Sequence, residues 1–330
     1  LGVWSLPKLN YRSVELRRRI YENDDSLFRK WLLPPYSADG WRVDVGNMLG
    51  RQGETQIGTE VVAGIRQAVK SCQPDAYLIG ENFFDASPQL QGDQWDGVMN
   101  YTGFTLPFWY WLKGYKEWSH SLGRFVEAPV VLSTAALVNT WDSRRSAIPW
   151  AIALQQFNLL GSHDTPRIKS TVNENEALIR LAAVVQFTFP GLPCIYYGDE
   201  IGMADDPDLA SRGCMIWNQD LWDQDLMHFF QRLIQLRKAS PALIRGGFQI
   251  LQVEEHTFAF QRESISERIL VVAHRAPFPR EEKPLPVAQG GIADGRRFRE
   301  LFTGQELVVS AGSLPLSPHP QGATIWIETD

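Results

Sequence analysis

Cysteine is scarce in this sequence: Cys72, Cys194 and Cys214 are the only three in 330 residues. Their odd number and wide spacing exclude a disulfide framework and a cysteine-built metal site, and they suggest a reduced compartment. No apolar run is long enough to cross a bilayer. Long runs of positive charge are also missing, and the net charge is -6. The tightest basic cluster, Arg17-Arg18-Arg19, lies beside Glu15 and Glu22 in a helix-like segment and reads as a solvated helix face. Neither nucleic acid nor membrane is therefore expected as a partner. The chain opens at Leu1 with neither an initiator Met nor a signal-peptide pattern, which points to the cytoplasm.

What is abundant is apolar and aromatic. Hydrophobic residues make up 44% and aromatic residues 12%, including 12 Trp; this describes a soluble globular chain with a sizeable core. Flat rings either pack a core or stack on sugars. Trp41, Trp109, Trp111 and Trp217 are the candidate sugar platforms.

Three short segments stand out: Gly40-Trp41-Arg42-Val43-Asp44, Tyr77-Leu78-Ile79-Gly80-Glu81 and Leu159-Leu160-Gly161-Ser162-His163-Asp164. Each is an apolar run that ends in an acid, as a buried strand does when it emerges into a polar cleft. Three in series, separated by helical stretches, predict parallel strands that deliver carboxylates to one site. Cleavage of a glycosidic bond needs carboxylates paired in that way.

Around these segments the pattern alternates. A helix is expected over Val14 to Leu33, stopped by Pro34-Pro35, and a second over Thr59 to Ser71 with Val61, Val62, Ile65, Ala68 and Val69 as its apolar stripe. A short strand is expected at Gly97 to Tyr101, and the aromatic stretch Thr102 to Gly114 is expected against the cleft wall or the helix layer. Further helices are expected at Ala177 to Phe187 and Phe229 to Arg237. Cys194-Ile195-Tyr196-Tyr197 reads as a buried strand running to Asp199 and Glu200. Five strands of a parallel sheet are counted in this part, where a closed barrel needs eight. After Gly246-Gly247 the sequence becomes a series of alternating, β-branched segments separated by Pro and Gly, which reads as a small all-β sandwich. The expected domains are 1–243 and 244–330.

The acids have distinct chemistry. Arg42 and Asp44 are two apart on a strand and so face the same side. A cation there favours the ionised carboxylate that a nucleophile requires, which makes Asp44 the candidate nucleophile rather than half of a structural ion pair. Glu81 follows a strand and precedes Phe83 and Phe84. An apolar setting favours the protonated form, which makes it the candidate acid/base. No further His or acid stands near His163 and Asp164 at metal-ligand spacing, so no metal is expected there. Arg167 either steadies Asp164 or caps a helix. Asp199 and Glu200 either line the cleft or cap the loop that follows.

In this order and spacing the segments resemble glycoside hydrolase family 13, the α-amylase family. Its Gly-x-Arg-x-Asp strand is matched by Gly40 to Asp44, its Gly-Glu strand end by Gly80-Glu81, and its His-Asp end by His163-Asp164. Pro190 to Glu200 resembles its last barrel strand and loop. Ser5-Leu6-Pro7-Lys8-Leu9-Asn10, Asp39-Gly40-Trp41-Arg42 and Met99-Asn100-Tyr101 followed by Phe104 are similar to the group that contains maltodextrin glucosidase, neopullulanase and cyclomaltodextrinase. The family's first signature, ending in Asn-His, is not in this sequence. The resemblance therefore implies a partial TIM (β/α)8 barrel, about strands 4 to 8, followed by the β-sandwich.

It also implies a retaining hydrolase of α-1,4 glucosidic bonds in maltodextrins, with α-1,6 bonds as an open second class. Asp164 would be the third catalytic carboxylate, with His163 and Arg42 binding substrate. A transglycosylase using the same residues, or a non-catalytic glucan-binding remnant, remains open at this point. The expected partner is an α-glucan oligosaccharide. The full-length form is compatible with a homodimer. No cofactor is expected; calcium is an open alternative that no residue pattern indicates.

Overall fold

The stripe Val61, Val62, Ile65, Ala68 and Val69 forms the buried face of helix α1, Gly58–Cys72. Its spacing places all five on one side, and the turn at Gln73-Pro74-Asp75 ends it. In the computed structural model, which describes residues 7–113, 116–119, 124–127 and 131–329, the chain divides into two compact units. One is Leu1–Thr102 with Arg144–Phe157, and the other is Gly103–Ser143 with Asn158–Asp330. Ser5 and Leu6 of the linker-like motif lie outside the described residues.

In the first unit, three strands run parallel in the order β1 (Gly40–Val43), β2 (Tyr77–Gly80), β3 (Gly97–Val98). A parallel bridge between Met99 and Phe157 continues the edge. Parallel neighbours need a crossover, and α1 supplies it between β1 and β2. Its stripe packs with Val43, Leu78, Trp95 and Val98.

The long helix expected at Val14 to Leu33 is instead broken into Val14–Arg17, a wider turn at Arg18–Glu22, and Leu27–Lys30. Asn23-Asp24-Asp25-Ser26 interrupts it, because such side chains compete for the backbone's hydrogen bonds. The Arg17-Arg18-Arg19 cluster is a solvated face: Arg17 pairs with Glu60 at 2.8 Å and Arg19 with Glu15 at 2.6 Å.

In the second unit, α2 (Leu106–Leu112) and α3 (Thr134–Ser146, whose last three residues are counted with the first unit) carry aromatic side chains into a core shared with α4 (Glu176–Thr188) and α5 (Gln224–Ala239). The strand β4 (Phe157–Leu159), which begins on the last residue of the first unit, pairs with β5 (Leu192–Cys194). Both strands end earlier than the sequence suggested. β4 stops before Leu160, leaving Leu160 to Ser162 to lead into the loop. β5 stops at Cys194, and Ile195 to Tyr197 are only partly covered, because the two tyrosines turn their rings onto Arg167 instead of entering a sheet.

The β-rich segment forms one six-stranded antiparallel sheet where a sandwich was expected. Its order is β6 (Gly247–Val253), β7 (Thr257–Glu263), β8 (Arg268–His274), β11 (Gly322–Glu328), β9 (Arg297–Glu300), β10 (Glu306–Val308). A second full sheet is unnecessary because helices cover one face. Phe258, Phe260, Ile269, Val271 and Ile325 point into the α2–α5 core, where Trp141 meets Phe258 edge-on at 5.3 Å. Ala259, Leu270, Val272 and Trp326 alternate to the other face, under Leu285, Val287 and Leu314. Leu285–Pro286 and Ser313–Leu314 form a small ribbon there.

Asp96 ties the first unit together. It is buried and accepts from Arg66 Nη1 at 2.7 Å and from the Leu78 N–H at 2.9 Å, and it pairs with Lys70 at 2.7 Å. Burial alone would raise its pKa, but Lys70, Arg66 and the Leu78 amide outweigh that and hold it below the usual carboxylate range. Its folded pKa is depressed, so its stabilisation is fully present above the ordinary carboxylate pKa and is lost as pH falls through the folded value. Asp96→Asn is expected to cost about 3 kcal/mol at neutral pH, because it leaves two cations without their partner. Urea titrations across pH should show the parent losing more stability than the variant on the acid side.

Candidate active site

The register of β1 and β2 builds the centre of the first unit. Val43 pairs with Gly80 at the end of the ladder, so the next residue on each strand, Asp44 and Glu81, leaves the sheet beside the other. The Glu81 N–H extends the ladder by donating to the Val43 carbonyl at 2.9 Å. Arg42, two residues before Asp44, points to the same side and bridges the two acids. Its Nη1 donates to Asp44 Oδ1 at 2.5 Å, and its Nη2 lies 3.2 Å from Glu81 Oε1. Arg42 Nη2 also meets Met99 Sδ at 3.4 Å.

The second Glu81 oxygen is held by the backbone. Val45 adopts φ 46°, ψ 41°, a left-handed conformation costly for a β-branched residue. It brings the Val45 N–H to 2.6 Å from Glu81 Oε2. Glu81 is 3% exposed, whereas the Asp44 side chain is 68% exposed. One acid is thus enclosed with both oxygens engaged, and the other is open to a ligand. Asp44 borders a cavity of about 300 Å³ whose wall includes Lys8, Leu9, Tyr11, Val45, Met48 and Leu49. The expected Phe83 and Phe84 enclosure of Glu81 takes another form: Phe84 is exposed, and Phe83 stacks on Tyr101 at 4.4 Å.

In the second unit, His163 and Asp164 lie in a turn closed by Ser162 and Thr165. His163 Nε2 is 3.1 Å from Asp164 Oδ2, and the Asp164 N–H donates to Ser162 Oγ at 3.1 Å. The partner of Asp164 Oδ1 is Arg212 Nη2 at 2.7 Å. Sequence reasoning did not name Arg212, since 48 residues and no shared motif separate the two. Arg167 makes no direct bond to Asp164. It sits at the start of the turn Ile168–Thr171, wholly buried, with its guanidinium on Asp199 Oδ1 at 3.2 Å. Asp199 is therefore committed to the interior rather than to a cleft. Burial pushes its carboxyl up to about 7, against the pull of Arg167. Glu200 borders a separate cavity of about 350 Å³ with Ile195, Tyr197, Met227, Phe230, Gln231 and Ile234.

The candidate sugar platforms divide in the same way. Trp109 and Trp111 are completely buried and belong to the core, where Trp111 Nε1 donates to Thr134 Oγ1 at 2.9 Å. Trp41 packs on Phe28 at 4.8 Å and donates to its carbonyl. Trp217, 79% exposed, has a free ring face. Among the described residues, no group of three or more His, Cys, Asp or Glu could hold a metal ion.

The α-amylase catalytic-domain family model matches residues 1–226, which include Arg42, Asp44, Glu81, His163 and Asp164. This chain belongs to the α-amylase family. The family assignment carries a TIM-barrel-type fold with a sheet domain. The chain is 34% identical to the cyclomaltodextrinase of Thermoanaerobacter pseudethanolicus over 83% of its own length and 43% of the relative's. It is 32% identical to neopullulanase 2 of Thermoactinomyces vulgaris over 98% of its length and 50% of the relative's. The α-amylase-family chain therefore spans about half the length of these curated relatives. Among solved structures, the native debranching enzyme of Nostoc punctiforme is similar with a TM-score of 0.80 and 27% identity, over 98% of this chain and 64% of that one.

The glycine before Glu81 is a steric requirement. A Cβ on Gly80 would lie 2.7 Å from the buried Trp95 ring. Gly80→Ala is expected to displace the strand end and cost about 1–3 kcal/mol. A shift in the urea midpoint with an unchanged slope would register it.

Proposed function

We propose that this chain is the catalytic part of a retaining glycoside hydrolase acting on maltodextrins. The observation that carries the reading is the pair Asp44 and Glu81, adjacent in register and sharing the Arg42 guanidinium. Retaining glycosidases hold their two carboxyls about 5–5.5 Å apart, and one guanidinium contacting both acids is consistent with such closeness. By their order in the chain we assign β1 to β5 to about strands 4 to 8 of the family's barrel, and we place the domain boundary between residues 243 and 244.

In this reading Glu81 protonates the leaving glycosidic oxygen while Asp44 attacks the anomeric carbon. The bond to the leaving sugar breaks as the bond to Asp44 forms. Glu81, now ionised, takes a proton from water, and that water releases the sugar with its original anomeric configuration. The exposure of Asp44 suits a nucleophile that must reach the sugar. The donors on Glu81 fix the orientation of the acid, one oxygen having to leave its donor when it carries the proton. Arg42 offsets charge and aims both acids. Asp164, supported by His163, grips sugar hydroxyls. The bonds cleaved are α-1,4 linkages, with α-1,6 linkages as a further substrate class. We place the chain in the cytoplasm, in keeping with three cysteines that all remain free thiols.

The test is glucose release from maltotriose by this chain, with the anomer of the fresh product followed by proton NMR. Release of α-glucosyl product is expected. Glu81→Gln is expected to lower the rate about 10²–10⁴-fold, and Asp44→Asn to abolish release. A β-anomer as first product, or an Asp44→Asn variant with parental rate, would refute the mechanism.

A further inference from the structure

The segment between Met203 and Gly213 is tied down far more firmly than an exposed loop requires. Its tip closes on itself, with Asp206 and Ala210 exchanging two backbone hydrogen bonds at 2.8 and 2.9 Å. Its first arm is pinned through Asp205: Oδ1 accepts from the Arg167 N–H at 3.0 Å, and the Asp205 N–H donates to Ser170 Oγ at 2.8 Å. Its second arm is pinned on both sides of Arg212. The Ser211 carbonyl accepts from Arg167 Nη2 and from Tyr196 Oη, each at 3.1 Å. The Gly213 carbonyl accepts from Tyr197 Oη at 2.7 Å. Arg167 lies 4.7 Å from the ring centre of each tyrosine, and the two rings are themselves 4.6 Å apart.

Ser211 and Gly213 are buried, and the residue between them is exposed. The clamp thus fixes the backbone of Arg212 and leaves its side chain free to reach outward. That side chain forks: Nε donates to the His163 carbonyl at 2.8 Å and Nη2 to Asp164 Oδ1 at 2.7 Å. With His163 on Oδ2, both oxygens of Asp164 are held in one orientation. An exposed ion pair of this kind adds little stability. A planar fork on a fixed backbone does, however, set direction.

We propose that the 203–213 strap is a positioning element and that Arg212 is the residue through which it orients the Asp164 carboxylate. The inference rests on the hydrolase reading and deepens it. The buried Arg167, with Tyr196 and Tyr197, acts two steps away by holding the strap, and Arg212 delivers the effect. A guanidinium is required because one group must meet a carbonyl and a carboxylate at once; an ammonium point charge reaches one of them at a time.

The test compares maltotriose hydrolysis by the parent, Arg212→Ala, Arg212→Lys and Tyr197→Phe, with added guanidinium chloride at millimolar concentration as a rescue. Misplacing a group that supports the transition state costs about 10²-fold in kcat, so that loss is expected for Arg212→Ala, with a smaller change in KM. Guanidinium should restore part of it. Arg212→Lys should stay about tenfold below the parent, and Tyr197→Phe should show a smaller loss at an unchanged Tm. A kcat for Arg212→Ala within about twofold of the parent's overturns the inference, as does a loss that guanidinium does not restore. A parent that releases no glucose overturns the hydrolase reading and the inference with it, and the parent control separates that outcome from the others.

Discussion

Two ionised carboxylates side by side repel each other unless a positive group stands between them or one takes up a proton. In the first unit Arg42 meets that constraint, with one nitrogen on Asp44 and the other on Glu81. Much else there serves this meeting. The parallel register of β1 and β2 makes the two acids neighbours, and α1 is the crossover that allows the register. Gly80 permits Trp95 to lie against the strand end, and Val45 accepts a costly backbone conformation so that its N–H closes the arrangement. A one-residue slip between the strands would turn one acid into the core.

The second unit uses the same side chain for a different purpose. Chain ends and loops leave carbonyl groups that must be satisfied when they are buried. Arg237 donates to the carbonyls of Phe187, Phe189 and Gly191, so one buried cation serves the exit of α4, and burial lowers its pKa to about 10. Arg262, completely enclosed, donates to Thr188, Leu243, Gly246 and Gly247 and joins the sheet to two helix ends. Arg167 does the same for Tyr197 and Ser211. A guanidinium with five donors and no acceptor suits such clusters of carbonyls, where a lysine would leave several unmet.

This use of arginine explains what the sequence made legible and what it did not. Local periodicity and strand-end acids announced α1, β1, β2, α4 and the six strands of the sheet, and with them Arg42, Asp44 and Glu81. The pairing of Asp164 with Arg212 is carried by a strap that folds back over 48 residues, so no short pattern encodes it. Helix α3 was also invisible. Its buried residues Leu137, Val138 and Trp141 are too few among polar neighbours to mark a stripe, and the packing of Trp141 against Phe189 and Phe258 holds it in place. For Trp109 and Trp111 the sequence left cleft and core both open, since an aromatic run reads alike in either, and the structure places them in the core.

The sheet that is covered on both faces has only its two rims left to offer. At one rim, β6 is flanked by the 285–291 segment: Gln249 donates to the Gln289 carbonyl at 3.0 Å, and the Gln289 side chain returns a bond to Leu251. At the other, β10 is only three residues long, and its Glu306 is held by Arg299. A short, charged strand and a strand flanked by side-chain bonds from another segment are poor templates for another chain. Both rims of the sheet thus present little free backbone to another chain, which disfavours strand-by-strand pairing there.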